Sequence, residues 1–240
     1  MTWVRFAHAQ RSGALPRLLP FAVYLLFLAL AEVIAWVSPH LSAVAALGPW
    51  ANLWIYPLKT AAVLAVLVYF WPCYDELKLN AKRTVKPQDV LLSAVVGVVV
   101  YVLWVRMDWP WATQGQPGGY NPLLAGDRME KVLVAVRLLG AVIVVPVMEE
   151  LFWRSFLLRY LISPRFQTVP LGTFTVFSFL ATLVLFGLEH HLWLAGMMAG
   201  AAYTLLLYGT RRLWPSIIAH AVTNLSLGIH VLLTHEWNWW

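Results

Sequence analysis

The sequence has little charge and almost no cysteine. Only 12% of its 240 residues are Asp, Glu, Lys or Arg, whereas a soluble domain carries about 25%. Cys73 is the single cysteine, so a disulfide framework and a cysteine-based metal site are excluded. Because 61% of the residues are hydrophobic, the composition excludes an ordinary soluble domain and predicts a polytopic membrane protein.

The hydrophobic residues form long unbroken runs. Runs of about 20 apolar residues match the length that a helix needs to cross a bilayer, and the alternation typical of a transmembrane barrel is lacking. The predicted fold class is all-α, a polytopic membrane helical bundle of about seven to eight transmembrane helices. The predicted helices cover residues 18–37, 51–71, 88–106, 128–161, 170–188, 192–208 and 214–233. The fourth is longer than a bilayer requires, which predicts a tilt, a protrusion or a kink near Pro146.

The net charge of +6 would suggest a nucleic-acid partner in a soluble protein, but here the cations lie in short loops between apolar runs. Such loops stay on the cytoplasmic side of a membrane. The N-terminal segment and residues 78–86, 159–165 and 211–212 carry these cations, and all fall on one side of a seven-helix bundle. This predicts a cytoplasmic N-terminus, an outer C-terminus, the lipid bilayer as a partner and no nucleic acid.

Two adjacent glutamates interrupt the fourth apolar run. A charge at the centre of a bilayer costs about 3 kcal/mol or more, so Glu149 and Glu150 indicate a functional site. On a helix, Glu150 and Arg154 share a face because they are four residues apart, which predicts an ion pair. Glu149 is rotated from Glu150 by about 100° and can face a cavity.

Further polar groups occur in the later helices. His190 follows Phe186 by four residues, and His220 precedes Asn224 by the same interval. A carboxylate beside a histidine can hold and deprotonate a water, while a histidine and an amide can donate hydrogen bonds to a developing oxyanion. The chain has no Ser-His-Asp order and no His-Glu-x-x-His helix, which favours water as the nucleophile. The predicted catalytic residues are Glu149, His190, His220 and Asn224.

A zinc ion is the alternative way to activate that water. Glu149, His190 and His220 could serve as the three protein ligands of a catalytic zinc site, but their spacing does not select zinc because they come from separate segments. The prediction is a site without a metal or a cofactor, with a zinc-dependent version of the same protease as the alternative. Two non-catalytic alternatives are a membrane scaffold that binds a partner through the same cavity and a transporter or proton-coupled channel.

Three motifs together resemble one protein family. They are Glu149-Glu150-x-x-x-Arg154, Phe186-x-x-x-His190 and His220-x-x-x-Asn224, in this order. The region that contains them, residues 138–233, is similar to the CPBP (ABI) family of intramembrane proteases, also called type II CAAX prenyl endopeptidases. The resemblance implies an all-helical intramembrane endopeptidase, a hydrolase that acts on a membrane-associated protein or peptide.

The resemblance also implies roles for these residues. Glu149 and His190 would activate water, and His220 would form the oxyanion hole with Asn224. Glu150 and Arg154 would then be accessory to these four.

The same resemblance divides the chain. Within a single membrane domain, residues 1–17 are expected to form a cytoplasmic N-terminal tail, residues 18–127 the N-terminal membrane helices, and residues 128–234 the CPBP-like catalytic core. Residues 56–60, Tyr-Pro-Leu-Lys-Thr, resemble the subgroup associated with exosortase protein-sorting systems. A prenylated CAAX peptide is one substrate that the family implies. If the chain is bacterial, another membrane-bound peptide is favoured and the expected location is the inner or plasma membrane.

Other polar residues in apolar surroundings are expected to be structural. Pairing among Glu32, Lys59 and Arg137 is the expectation, since an unpaired charge within a bilayer is costly; contact with substrate is the alternative. Glu189 and His191 are expected to face water.

The depth of His190 is a condition of the hypothesis. A fifth helix that starts at residue 170 would place His190 at the outer membrane surface, far from Glu149. A common site therefore requires the turn at residues 187–193 to dip below that surface, or the helix to be displaced inward.

Overall fold

Every long element of the structure, a computed structural model, is a helix, as the apolar runs predicted. The structure describes residues 13–37, 40, 42–79, 84–115 and 119–240, apart from the side chains of residues 42–52 and 127. Most of the predicted N-terminal tail and part of the basic loop at residues 78–86 lie outside the described residues. Within those ranges no strand occurs.

The long helices follow the predicted order with shifted ends. They are α1 (Leu15–Val37), α2 (Ser42–Tyr69), α3 (Pro87–Trp104), α4 (a continuous run from Asp127 to Tyr160), α5 (Val176–Leu188), α6 (Trp193–Thr210) and α7 (Trp214–Thr234). Short 3-10 turns lie between and after them, at Trp71–Cys73, Asp75–Leu77, Pro110–Ala112, Pro122–Ala125, Phe166–Thr168 and Trp237–Trp239.

Four helices in the described part of the chain are long and apolar enough to cross a membrane. They are Leu15–Val37, Pro87–Trp104, Arg128–Tyr160 and Trp214–Thr234. Two further stretches, Leu53–Tyr69 and Val176–Leu188, are apolar but shorter. The all-α bundle is therefore confirmed, whereas length and composition do not establish the predicted seven to eight spans.

Helix α4 contains two π-helical turns, Gly140–Val144 and Leu151–Leu157. Pro146 follows the first of them and has no N–H to donate to a helical carbonyl. The N–H of Val145 bonds five residues back to the carbonyl oxygen of Gly140. In this register the next hydrogen bond would run from the N–H of residue 146 to the carbonyl oxygen of Ala141. The irregularity predicted near Pro146 thus takes the form of a π-helical turn that leaves the Ala141 carbonyl without that donor.

A buried charge network joins α1 to α4 and to the loop after α2. Arg17 donates from Nη2 and Nε to the Glu76 carboxylate at 2.6 and 2.7 Å, and the Ser155 hydroxyl donates to the same carboxylate. Arg159 donates to Ser155 Oγ at 2.8 Å. The network fixes the start of α1 against the last turns of α4.

The carboxyl group in this network is sensitive to pH. Burial alone would raise the pKa of Glu76, but the hydrogen bonds from Arg17 and Ser155 and the charge of Arg17 hold that pKa below its ordinary value. Because the folded pKa is the lower one, the stabilisation is complete above the ordinary carboxyl pKa of about 4. It is lost as the pH falls through the folded value.

Two glycines allow neighbouring helices to pack closely. A Cβ atom at Gly97 would lie 2.5 Å from the carbonyl oxygen of Ala219, so α3 and α7 meet backbone to backbone. A Cβ atom at Gly196 would lie 3.1 Å from the Cα of Gly187, which brings α6 onto the end of α5. Helix α7 also packs against α4, so polar groups from three segments can reach one space.

Candidate active site

One cavity is lined by all four predicted catalytic residues. Glu149 comes from α4, His190 from the turn between α5 and α6, and His220 and Asn224 from α7. The cavity has a volume of about 180 Å³, and water occupies about 30 Å³ per molecule, so several waters fit. The hydrolysis hypothesis required these side chains to converge, and they do.

Glu149 brings a buried carboxylate to this cavity. Its side chain belongs to a residue that is only 4% exposed, and its Oε2 has no hydrogen-bond partner among the described residues. A buried polar atom of this kind is costly unless it finds a partner. The cavity is the space from which a water or a substrate can supply one.

His190 has one ring nitrogen fixed by the protein. Its Nδ1 lies 2.7 Å from the carbonyl oxygen of Phe186, and a carbonyl can only accept, so Nδ1 carries the hydrogen. In the neutral ring, Nε2 then keeps a lone pair and can act as a base. The ring of Trp104 meets His190 edge to face at 5.3 Å between centroids, which restrains the ring plane.

The turn that carries His190 is placed by a short helix and a covering loop. Helix α5 has 13 residues, so it spans about 20 Å, less than the 30 Å or so of a hydrocarbon core. The depth of this turn below the membrane surface stays a prediction. Gln114, in the loop between α3 and α4, donates from Nε2 to the carbonyl oxygens of Leu188 at 2.7 Å and His190 at 3.0 Å.

Gln114 was not among the predicted site residues. The sequence marks it only by its position in an irregular loop.

The expectation that the neighbours of His190 face water is wrong. Glu189 accepts a hydrogen bond from Trp153 Nε1 at 3.1 Å, and His191 Nδ1 donates to the Gln114 carbonyl oxygen at 2.5 Å. Both side chains fix the turn instead.

Glu150 contacts both Arg154 and His220. Arg154 Nη1 donates to Glu150 Oε1 at 3.0 Å, so the predicted ion pair is confirmed. His220 Nδ1 lies 3.1 Å from the same oxygen, a contact that the sequence did not predict. Because Nδ1 donates there, a neutral His220 has no hydrogen on Nε2. It becomes a donor to the cavity only as an imidazolium, whose charge the Glu150 carboxylate balances.

Two contacts explain why Phe186 belongs to the second motif. Its carbonyl oxygen holds His190, and its ring lies 4.4 Å from the Arg154 guanidinium carbon. Arg154 also donates to the Gly200 carbonyl oxygen at 3.2 Å. The motif residues of α4 and α5 therefore form one packed unit against α6.

Asn224 is held by the π-helical turn of α4. Its Nδ2 donates to the carbonyl oxygen of Ala141 at 2.7 Å, the carbonyl that Pro146 leaves without a main-chain donor. A primary amide has two N–H groups, so one remains for the cavity. The proline and the asparagine, far apart in sequence, thus act on the same carbonyl.

The described residues contain no preassembled group of zinc ligands. Across residues 13–37, 40, 42–79, 84–115 and 119–240, no group of three or more His, Cys, Asp or Glu side chains could hold a metal ion. Glu149, His190 and His220 border one cavity without forming such a group. The Nδ1 atoms of both histidines bond to protein oxygens, which is also how zinc-ligating histidines are oriented. The site without a metal therefore stays a prediction, with zinc as its alternative.

The expected pairing among three charged residues is wrong. Glu32 is exposed, and no ion pair in the described part of the chain joins it to Lys59 or Arg137. Both cations lie over the ring of Tyr56, at 5.0 Å for Lys59 Nζ and 4.2 Å for the Arg137 guanidinium carbon.

The fold and the site define a helical membrane protein with a cavity that several polar side chains line. Residues 131–226 match the family model described as Type II CAAX prenyl endopeptidase Rce1-like. This match confirms the resemblance predicted from the three motifs. Endopeptidases are hydrolases, so residues 131–226 are similar to a hydrolase family. Together with the four apolar helices, this similarity indicates an integral membrane protein.

The matched region covers less than half of the chain and contains all four predicted catalytic residues. It does not include residues 56–60, so the exosortase-associated subgroup remains a prediction. Comparison with curated proteins gave no match, and neither did comparison with solved structures.

Proposed function

We propose that the protein is an intramembrane endopeptidase that hydrolyses a peptide bond of a membrane-associated protein or peptide. Water is the nucleophile, and Glu149 and His190 activate it. The observation that carries the proposal is the convergence of Glu149, His190, His220 and Asn224 on one cavity. The protease family of residues 131–226 supports the same reaction class.

The reaction can be written with these side chains alone. The water oxygen attacks the peptide carbonyl carbon while its proton passes to Glu149 or to Nε2 of His190. The carbonyl oxygen becomes an oxyanion that accepts hydrogen bonds from the Asn224 amide and from protonated His220. When the C–N bond breaks, the proton held by Glu149 or His190 passes to the leaving amine, which restores the free enzyme.

Glu150 and Arg154 have a supporting role in this proposal. The Glu150 carboxylate orients His220 and balances its positive charge, and Arg154 neutralises that carboxylate between turnovers. Neither residue lines the cavity, so neither needs to touch the substrate.

The test is cleavage of labelled, membrane-anchored peptides by purified protein in proteoliposomes. We expect Glu149→Gln and His190→Ala to abolish product formation. Asn224→Ala should lower kcat by about 10²- to 10³-fold, the usual cost of one oxyanion donor. Glu130→Gln is the matched control, because Glu130 is a glutamate on the same helix as Glu149 and lies outside the cavity lining.

Each outcome of this test separates the alternatives. Cleavage that persists in a strong chelator supports the metal-free reaction, and loss that added zinc restores would overturn it. Wild-type protein that folds and inserts but cleaves no peptide would contradict the protease proposal. In that case, cellular function that survives Glu149→Gln would favour a scaffold.

We also propose that the N-terminus is cytoplasmic, on the basis of the basic loops. The buried network of Arg17 and Arg159 and the basic turn at residues 211–212 lie around one cavity at the same end of the bundle, as the proposal requires. A protease-sensitive tag at the C-terminus should be cleaved in intact cells, and the same tag at the N-terminus should be protected.

A further inference from the structure

Two cations beside the catalytic cavity have no anionic partner. Lys59 is 5% exposed, and the Nε of Arg137 is buried without a hydrogen-bond partner. Neither lies within ion-pair distance of a carboxylate in the described residues. Buried charges in proteins are normally paired because their desolvation is costly.

Aromatic rings surround both cations. Lys59 Nζ lies 4.0 Å from the ring centre of Tyr24, and the Arg137 guanidinium carbon lies 5.7 Å from that of Trp240. Tyr56 lies between the two cations and contacts both. Rings attract a cation but provide no counter-charge. The rings of Tyr24, Tyr56 and Trp240 form an aromatic cage around the two cations. This cage holds the cations in place and leaves their charge available to a ligand.

This cage opens into the catalytic cavity. Tyr24, Tyr56, Arg137 and Trp240 line the same cavity as Glu149. Arg137 and Glu149 are both on α4, and their Cα atoms are at most about 18 Å apart along the helix axis at 1.5 Å per residue. An extended peptide advances about 3.3–3.6 Å per residue. A group bound at Arg137 is therefore within about five residues of a peptide bond at Glu149.

We propose that Arg137 and Lys59 bind a carboxylate of the substrate peptide, within about five residues of the scissile bond. The planar guanidinium of Arg137 matches a carboxylate in two hydrogen bonds, and Lys59 adds a second positive charge. A lipid phosphate is disfavoured because Arg137 lines the same cavity as Glu149 and Lys59 is only 5% exposed. The inference rests on the proposed endopeptidase function and assigns part of its specificity.

The first experiment changes only the substrate. Wild-type protein is assayed in proteoliposomes with peptides that differ in one carboxylate. One pair has a free or an amidated C-terminus within five residues of the cleaved bond, and the other pair has Asp or Asn at an internal position. We expect KM to rise about tenfold or more in one pair when the carboxylate becomes an amide, as loss of a charge-assisted hydrogen bond implies. The pair in which KM rises shows whether the bound carboxylate is the C-terminus of the peptide or an internal side chain.

The second experiment changes the cations. Arg137→Gln should raise KM for the carboxylate peptide about tenfold and leave KM for its amide partner unchanged, with kcat nearly constant in both cases. Arg137→Lys should restore part of the loss. Lys131→Gln is the matched control, because Lys131 is an exposed cation on the same helix.

The outcomes distinguish this inference from the proposed function. Equal KM for acid and amide peptides in both pairs would overturn the inference while cleavage itself upholds the protease. A KM that follows the anionic-lipid content of the vesicles, and not the peptide carboxylate, would also overturn it. If Arg137→Gln does not fold, the comparison of peptides on wild-type protein still decides.

Discussion

Replacing Pro146 with alanine should raise stability and lower activity at the same time. The substitution supplies the N–H that the π-helical turn lacks. In the π register this donor reaches the Ala141 carbonyl, and in a regular α register the N–H of Val145 does so. Either way, a main-chain group competes with the Asn224 amide for its 2.7 Å hydrogen bond.

The two effects have different expected sizes. Proline in a helix interior is about 3 kcal/mol less favourable than alanine, so the variant should gain up to that amount in the free energy of unfolding. If Asn224 loses its anchor, its amide no longer points reliably at the oxyanion. The loss of one such donor lowers kcat by about 10²- to 10³-fold.

Thermal unfolding in detergent and peptide cleavage in proteoliposomes measure the two effects on the same preparation. Pro20→Ala is the control, because Pro20 is a buried proline inside α1 and outside the cavity lining. It should gain stability without losing activity. Full activity in Pro146→Ala would refute the reasoning, because a carbonyl has two lone pairs and Ala141 would then hold both donors.

Three further variants test hydrogen bonds and ion pairs of buried or partly buried side chains. Glu150→Gln leaves the buried Arg154 guanidinium without its carboxylate, so chemical denaturation should show a loss of about 3–5 kcal/mol. Gln114→Ala removes two hydrogen bonds from the turn of His190, so kcat should fall about ten- to a hundredfold with the melting temperature nearly unchanged. Glu76→Gln should melt below wild type at neutral pH, and the difference should vanish as the pH falls well below about 4.

Each of these has an outcome that would contradict it. An unchanged denaturation midpoint for Glu150→Gln would mean that the ion pair contributes little. A Gln114→Ala variant with normal kcat would mean that the turn is held by its own backbone. A melting difference for Glu76→Gln that persists at low pH would assign the effect to packing and not to charge.

Hydrophobic pattern and local spacing determined the helices and the Glu150–Arg154 pair. Helix length follows from the thickness of the bilayer, and residues four apart on a helix always share a face. The four cavity residues were also found from sequence, because polar groups in apolar runs are rare and costly. The match to an Rce1-like domain at residues 131–226 agrees with the motifs that those residues form.

Contacts between separate helices were decided only by the tertiary structure. The bond from His220 to Glu150 joins residues 70 positions apart, and the expected pairing of Lys59 and Arg137 with Glu32 gave way to a shared contact with Tyr56. No periodicity relates such residues, because the distance between side chains on different helices depends on how the helices pack. The sequence placed charges inside the membrane; the packing of α2, α4 and α7 decided which of them meet.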